Sequence, residues 1–200
     1  MLVLVRREEL EELHYITPIN NIPSILRYGI LSHKRADRLQ HETVALQEVQ
    51  ERRENKRLPT GKWLHDYVNL YICARNPMMY RRRNLHRDLC VLQISPEVLD
   101  IRGAVVTDRN ASSDYAAFYP SPEGLRKVNG ELVFSEYWTH RDQFEEWEHK
   151  SIKCAEVLVP GRVAPGYLIG AYVSNRSTVN RLIEVGIRDN IEVNEHMFFR

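Results

Sequence analysis

Cysteine is scarce: Cys73, Cys90 and Cys154 are the three in 200 residues. Their odd number and the lack of a C-x-x-C spacing exclude a disulfide framework and a four-thiolate zinc site, and favour a reducing compartment. Long apolar runs are missing as well, since none approaches the roughly 18–20 residues that cross a bilayer. The opening Met1-Leu-Val-Leu-Val5 meets Arg6-Arg-Glu-Glu at once, too short and wrongly flanked for a signal peptide, so a cytoplasmic protein is expected. Neither sign of charge dominates: 28 Lys and Arg against 27 Asp and Glu leave a net +1. That balance exerts no global pull on nucleic acid or membrane, and any such affinity must come from local clusters. The nine glycines form neither G-x-x-x-x-G-K-[ST] nor G-x-G-x-x-G, which removes the Walker and Rossmann phosphate loops. Eight histidines show no H-E-x-x-H and no pairing on one helical face, so no metal site is expected.

What remains is an ordinary globular chain, 43% hydrophobic and 28% charged. Its length suits one domain over residues 1–200, and neither a repeat nor a linker divides it. Leu13 to Pro18 reads as a short strand. Asn20 or Asn21 then caps a helix with Ile22, Ile25 and Leu26 on one face and Gly29 as its stop. Residues 34–57 carry few apolar positions and many charges, the pattern of a solvated helix and loop. Tyr67 to Cys73 alternates with period two, placing Val68, Leu70 and Ile72 on one face and Tyr67, Asn69, Tyr71 and Cys73 on the other. That second, polar and aromatic face suits the wall of a cleft.

Asn76-Pro77 starts a helix with proline at its first position. Strands are expected at Leu89–Ile94, Ala104–Thr107, Lys153–Val159, Tyr167–Val173 and near Ile191–Val193, with Ser95-Pro96-Glu97 opening a short helix. Further helices are expected from a Thr139 cap to about His149 and over 177–187. Strands predominate without regular β-α-β alternation, which predicts an α+β fold with a mostly antiparallel or mixed sheet.

Two basic clusters stand out, Arg52-Arg53 with Lys56-Arg57, and Arg81-Arg-Arg with Arg87. The second follows Arg75, Met78, Met79 and Tyr80. Such clusters either follow a phosphate backbone while aromatics stack on bases, or form solvated loops. Glu156 enters a strand continued by Val157, Leu158 and Val159. A carboxylate there is either paired and used, or exposed on the solvent side of an edge strand; the residues alone leave both open.

In combination these motifs resemble the DarT family of ADP-ribosyltransferase toxins, which modify bases of single-stranded DNA using NAD. The resemblance covers nearly the whole chain. It rests on Ile16-Thr-Pro-Ile-Asn-Asn-Ile-Pro-Ser-Ile-Leu26 with Gly29, Glu51-Arg-Arg53, Leu64-His-Asp-Tyr-Val68 through Tyr71, Asn76-Pro-Met78 with Tyr80, and Ala155-Glu156. It implies an ADP-ribosyltransferase fold of two small, mostly antiparallel sheets that enclose an NAD cleft, flanked by short helices.

The same resemblance makes Glu156 the catalytic glutamate and Arg53 the arginine that steadies the NAD phosphates and assists proton loss from the acceptor base. His14, Tyr15, Thr17, Asn21, Arg53 and Tyr71 are the implied NAD contacts. The family's His-Ile-Thr reads here Tyr15-Ile16-Thr17 with His14 one place earlier, so either His14 or Tyr15 takes the histidine's place. On the DNA side it implies Arg75, Met78, Tyr80, Asn110 and Cys154, with segment 139–153 as the substrate-reading loop. There Trp147 is available for stacking, and Lys150 and Lys153 for phosphate. Cys154 replaces a frequent glutamine and Asn110 a histidine, both on the acceptor side, and guanine and thymine are both family targets. The implied partners are single-stranded DNA and an antitoxin that removes ADP-ribose, a macrodomain or related hydrolase. Competing readings are modification of RNA by the same fold, a non-catalytic nucleic-acid-binding module, and a metal-dependent nuclease.

Overall fold

A computed structural model describes residues 3–39, 41–43 and 47–200. Its strands are β1 (Leu13–Pro18), β2 (Ile30–Leu31), β3 (Tyr67–Tyr71), β4 (Leu89–Ile94), β5 (Val105–Thr107), β6 (Phe118–Pro120), β7 (Glu156–Pro160), β8 (Arg162–Val163), β9 (Leu168–Val173) and β10 (Ile191–Val193). The helices are short: α1 (Ile22–Tyr28), α2 (His33–Ala36), α3 (Gln47–Glu54), α4 (Pro77–Arg81), α5 (Gly130–Phe134), α6 (Gln143–Ile152) and α7 (Arg176–Glu184).

Eight strands hydrogen-bond in the order β10-β9-β4-β1-β3-β7-β5-β6, and β2 pairs with β8 as a separate ribbon. All neighbours are antiparallel except β9 and β10. The two small sheets implied by the resemblance appear as two four-stranded halves of this one sheet. Among the described residues, the single paired position joining β1 to β3 is His14 with Tyr71. Past that pair, Tyr15–Pro18 and Tyr67–Leu70 run alongside each other without pairing, and the sheet splits. The gap between them is the mouth of a cleft.

Packing follows the alternation of each strand. Val68, Leu70 and Ile72 enter the main core with Leu13, Leu92, Val157 and Val173, whereas Tyr67, Asn69 and Tyr71 turn to the cleft. All six residues of β4 are buried, as expected of a central strand covered on both faces. Gly29 ends α1 with φ +82°, and a Cβ there would lie 2.2 Å from the Val163 carbonyl oxygen. Glycine is thus required where α1 turns into the β2–β8 ribbon.

Three local expectations need correction. Leu26 is 36% exposed and leaves the core face of α1 to Ile22 and Ile25. Helix α6 begins at Gln143, not Thr139, because the Asp142 carboxylate accepts from the N–H groups of Phe144 (2.8 Å) and Glu145 (3.0 Å). The stretch 34–57, which includes positions 40 and 44–46 outside the described residues, is not wholly solvated, since Arg53 is buried. By contrast Asn76 caps α4 as its sequence predicts, its Oδ1 accepting from Met79 N at 3.1 Å. Among the described residues, no helix is long and apolar enough to cross a membrane.

Candidate active site

Glu156 opens β7 opposite Tyr71 of β3 and is 0% exposed. A carboxylate removed from water is tolerated only when its lone pairs are met. Arg53 of α3 meets two of them, donating from Nη1 to Oε1 and from Nη2 to Oε2, each at 3.1 Å. The Ala111 N–H donates to Oε1 at 3.1 Å. The backbone is fixed as well: Glu156 N–H donates to Thr107 Oγ1 at 3.0 Å, and that hydroxyl donates to the Arg109 carbonyl at 2.7 Å. Arg53, 5% exposed, loses solvation, which by itself would lower its pKa; the adjacent carboxylate outweighs that loss and raises it. The edge-strand alternative for Glu156 is therefore excluded.

Arg53 lines a cleft of about 950 Å³, while Glu156 sits behind its guanidinium. That volume lies at the upper end of small-molecule and cofactor sites, about 300–1,000 Å³, and is ample for a dinucleotide. Tyr15, Thr17, Asn21 and Tyr71 line the same cleft. Burial pushes the Tyr15 phenol up to about 12. Burial, reinforced by the charge of Glu156, raises Tyr71 well above its ordinary value. The same two causes bring the Cys154 thiol to about 12, so it is protonated at neutral pH and is no nucleophile. Asn21 spends its amide on the chain, donating to the Glu42 carbonyl (2.7 Å) and accepting from Glu42 N–H (2.9 Å). It pins segment 41–43 to the rim.

Alternation alone does not separate His14 from Tyr15: His14 pairs with Tyr71 and shares its face, while four consecutive residues, Tyr15 to Pro18, line the cleft where the sheet splits. Tyr15 faces the cleft. His14 is not among its lining residues; its Nε2 lies 2.9 Å from Glu12 Oε1, which also accepts from the Tyr172 hydroxyl at 2.9 Å. Of the two, the cleft lining includes Tyr15 and not His14.

Of the implied DNA-side residues, Arg75, Met78, Tyr80, Asn110, Trp147, Lys150 and Cys154 all line the cleft. Trp147 is 54% exposed, and Lys150 pairs with Glu146 at 2.5 Å. Lys153 does not join them. It is 0% exposed, its Nζ donates to the Val133 carbonyl at 2.7 Å, and burial lowers its pKa. An ammonium so enclosed cannot meet a phosphate, and Lys153 is a structural residue beneath α5. Among the described residues, no group of three or more His, Cys, Asp or Glu could hold a metal ion.

Several groups at or behind the cleft carried no sequence signal. The Ala111 donor is backbone and invisible to side-chain motifs. His33 of α2 and His65, just before β3, stack with centroids 4.1 Å apart and planes 16° from parallel. His65 Nε2 lies 3.1 Å from Gln50 Oε1, tying the Arg53 helix to the turn that leads into β3. Burial, then the charges of His33 and Arg53, pushes the His65 pKa from 6.5 down to about 4. In the unfolded chain this ring takes up its proton first. Its contribution to stability is therefore whole above about pH 6.5 and is lost as pH falls toward 4. His65→Gln is expected to flatten that acid limb, measured as the shift in urea midpoint between neutral and mildly acidic buffer. An equally steep loss in the variant would refute the assignment.

Comparison with known proteins agrees with this geometry. The DNA ADP-ribosyl transferase–DNA ADP-ribosyl glycohydrolase fusion protein of Thermosipho africanus is 31% identical over 189 residues, 91% of this chain and 47% of the relative. This chain thus spans about half the length of that protein. The DNA ADP-ribosyl transferase of Thermus sp. is 30% identical over 146 residues, 67% of this chain and 69% of the relative. Among solved structures, Thermosipho africanus DarTG in complex with ADP-ribose superposes with TM-score 0.80 at 29% identity, over 94% of this chain and 51% of that one. Thermus sp. 2.9 DarT in complex with ADP-ribosylated ssDNA, 24% identical, shares the fold with TM-score 0.85 over 99% of this chain and 100% of that one. The family profile described as "ssDNA thymidine ADP-ribosyltransferase, DarT" matches residues 14–199 and so takes in the split strand pair, Arg53 and Glu156 together: the chain belongs to the DarT family.

Proposed function

We propose that this chain, acting as one domain over residues 1–200, transfers ADP-ribose from NAD to a guanine or thymine base of single-stranded DNA and releases nicotinamide. The observation that carries the reading is the buried Arg53–Glu156 pair against a cleft of about 950 Å³, in a member of a family described as ssDNA thymidine ADP-ribosyltransferases. NAD supplies a ribosyl carbon that becomes cationic as nicotinamide departs, as in glycoside cleavage.

Glu156 meets that charge with a carboxylate already oriented by Ala111 N–H and held on a rigid strand, so little reorganisation is needed at the moment of reaction. In the described state Arg53 shields this carboxylate, and one of its two bonds must open before Glu156 accepts from a ribose hydroxyl. The freed guanidinium N–H then serves the NAD phosphates and steadies the acceptor nitrogen as it bonds to the ribosyl carbon, nicotinamide leaves and the acceptor's proton passes to solvent water. Tyr15, Thr17 and Tyr71 are the implied contacts to nicotinamide and ribose, and Trp147 and Lys150 face the DNA. Single-stranded substrate is favoured because the reacting edge of a paired base is blocked and extrusion costs a few kcal/mol.

The Thermosipho relative joins a DNA ADP-ribosyl transferase to a DNA ADP-ribosyl glycohydrolase. On that basis this chain is read as a toxin, and its antitoxin as an ADP-ribosyl hydrolase of the macrodomain or related type; its few cysteines favour the cytoplasm. The test is mass spectrometry of nucleosides after incubation with NAD and single-stranded DNA or RNA. An ADP-ribosyl adduct on thymidine or guanosine from DNA is expected. Adducts on RNA alone would shift the reading to RNA, and DNA binding without nicotinamide release would leave a non-catalytic module.

A further inference from the structure

Beside the cleft, three aromatic rings from distant parts of the chain meet edge to face. Tyr80 of α4, Trp138 before α6 and Phe199 near the C-terminus have centroids 5.1–6.0 Å apart and planes 76–81° from parallel. Two guanidinium groups lie on them. Arg75 sits 3.9 Å from the Phe199 centroid and donates through Nη1 to the His196 carbonyl; Arg83 sits 4.2 Å from the Tyr80 centroid and donates to the Tyr80 carbonyl at 2.9 Å. Each arginine is held over its ring and by a backbone oxygen. The arrangement carries a cost. Phe199 adopts φ +62°, a left-handed conformation unfavourable for a bulky residue, and the buried Arg75 Nε has no hydrogen-bond partner. Both features fall at one spot, beside the cleft.

We propose that this Tyr80–Trp138–Phe199 cluster, with Arg75 and Arg83 laid over it, seats a base that flanks the modified one in single-stranded DNA. The proposal deepens the transfer reading and rests on it. A guanidinium lying on an aromatic ring keeps a second planar face, and unpaired bases stack on such planes as they do on aromatic rings. The positive charge of the pair suits the adjoining phosphates, and the seat is continuous with the cleft, which Arg75, Tyr80, Trp138 and Phe199 all line. Trp138 and Phe199 have no place among the DNA contacts implied by the sequence. The cluster therefore adds the C-terminal segment to the substrate surface and gives the enzyme a way to sense the neighbours of its target.

The experiment pairs protein variants with DNA lesions. Single-stranded oligonucleotides carry the target base with abasic residues scanned through the flanking positions, which removes a base and keeps its phosphate. For wild type, one flanking abasic residue is expected to raise KM about tenfold, the range of one lost base–aromatic stack. Phe199→Ala or Arg83→Gln is expected to raise KM by a similar factor on intact DNA, with kcat and NAD affinity nearly unchanged, and to remove any further penalty from that abasic residue; Phe199→Tyr is expected to behave as wild type. Arg83→Gln, which touches no core residue, decides the matter should Phe199→Ala fold poorly. Penalties that multiply instead of merging, or no KM change in either variant, would overturn the seat. Failure of wild type to release nicotinamide with any single-stranded DNA would instead bring down the transfer reading itself.

Discussion

Glu156→Gln is expected to slow nicotinamide release in the presence of single-stranded DNA by about a thousandfold, the scale on which loss of one preorganised electrostatic group acts. The amide is nearly the same size, and its oxygen still accepts from Ala111 N–H, so the fold and the cleft persist. What disappears is the negative charge facing a ribose that turns cationic. The amide oxygen can still accept from the ribose hydroxyl and the cleft walls are unchanged, so NAD affinity is expected to stay within about threefold of wild type, the lost charge mattering most in the transition state. Initial rates and calorimetric NAD titration measure the two quantities separately. Wild-type labelling of an oligonucleotide by this variant would remove Glu156 from its role.

Substitutions at Arg53 are expected to separate folding from chemistry. Arg53→Met leaves Glu156 buried without its counter-charge, which is expected to cost about 3–5 kcal/mol in urea denaturation along with all measurable transfer. Arg53→Lys keeps the charge but not the two-pronged geometry that serves both carboxylate oxygens at 3.1 Å. It is expected to retain most of the stability and lose about a hundredfold in kcat. The double change Arg53→Met, Glu156→Leu removes both charges and is expected to recover most of the lost stability with no activity, since apolar replacements for a buried pair are often neutral. The partners are not equivalent: Arg53 borders the cleft and can turn toward water when Glu156 is lost, whereas Glu156 has no such exit. A double variant as unstable as Arg53→Met would show that the pair is not the source of the penalty.

The parts of the molecule legible in the sequence share one property: short-range causes produce them. The cap at Asn76 before Pro77, the two-faced alternation of Tyr67–Tyr71 and the β1 span are each specified within a few residues. The family motifs are likewise short and consecutive, so Arg53, Glu156 and Tyr71 could be named before any geometry was known. Helix α3 shows where this stops. Its run Gln47–Glu54 has no apolar face, yet it is anchored through Arg53 to a carboxylate 103 positions away.

By itself, then, the sequence determined the α+β class, most strand positions, the family motifs and the names of the two residues, Arg53 and Glu156, that the fold pairs, because periodicity, capping and consecutive motifs are local quantities. Only the tertiary structure decided which side chains face the cleft. The splitting of β1 from β3 leaves Tyr15 on the cleft while His14 turns to Glu12, enclosure under α5 takes Lys153 out of reach, and long-range packing assembles Tyr80, Trp138 and Phe199. Burial and charge pairing depend on what other segments cover a residue, and in this fold those segments come from both ends of the chain.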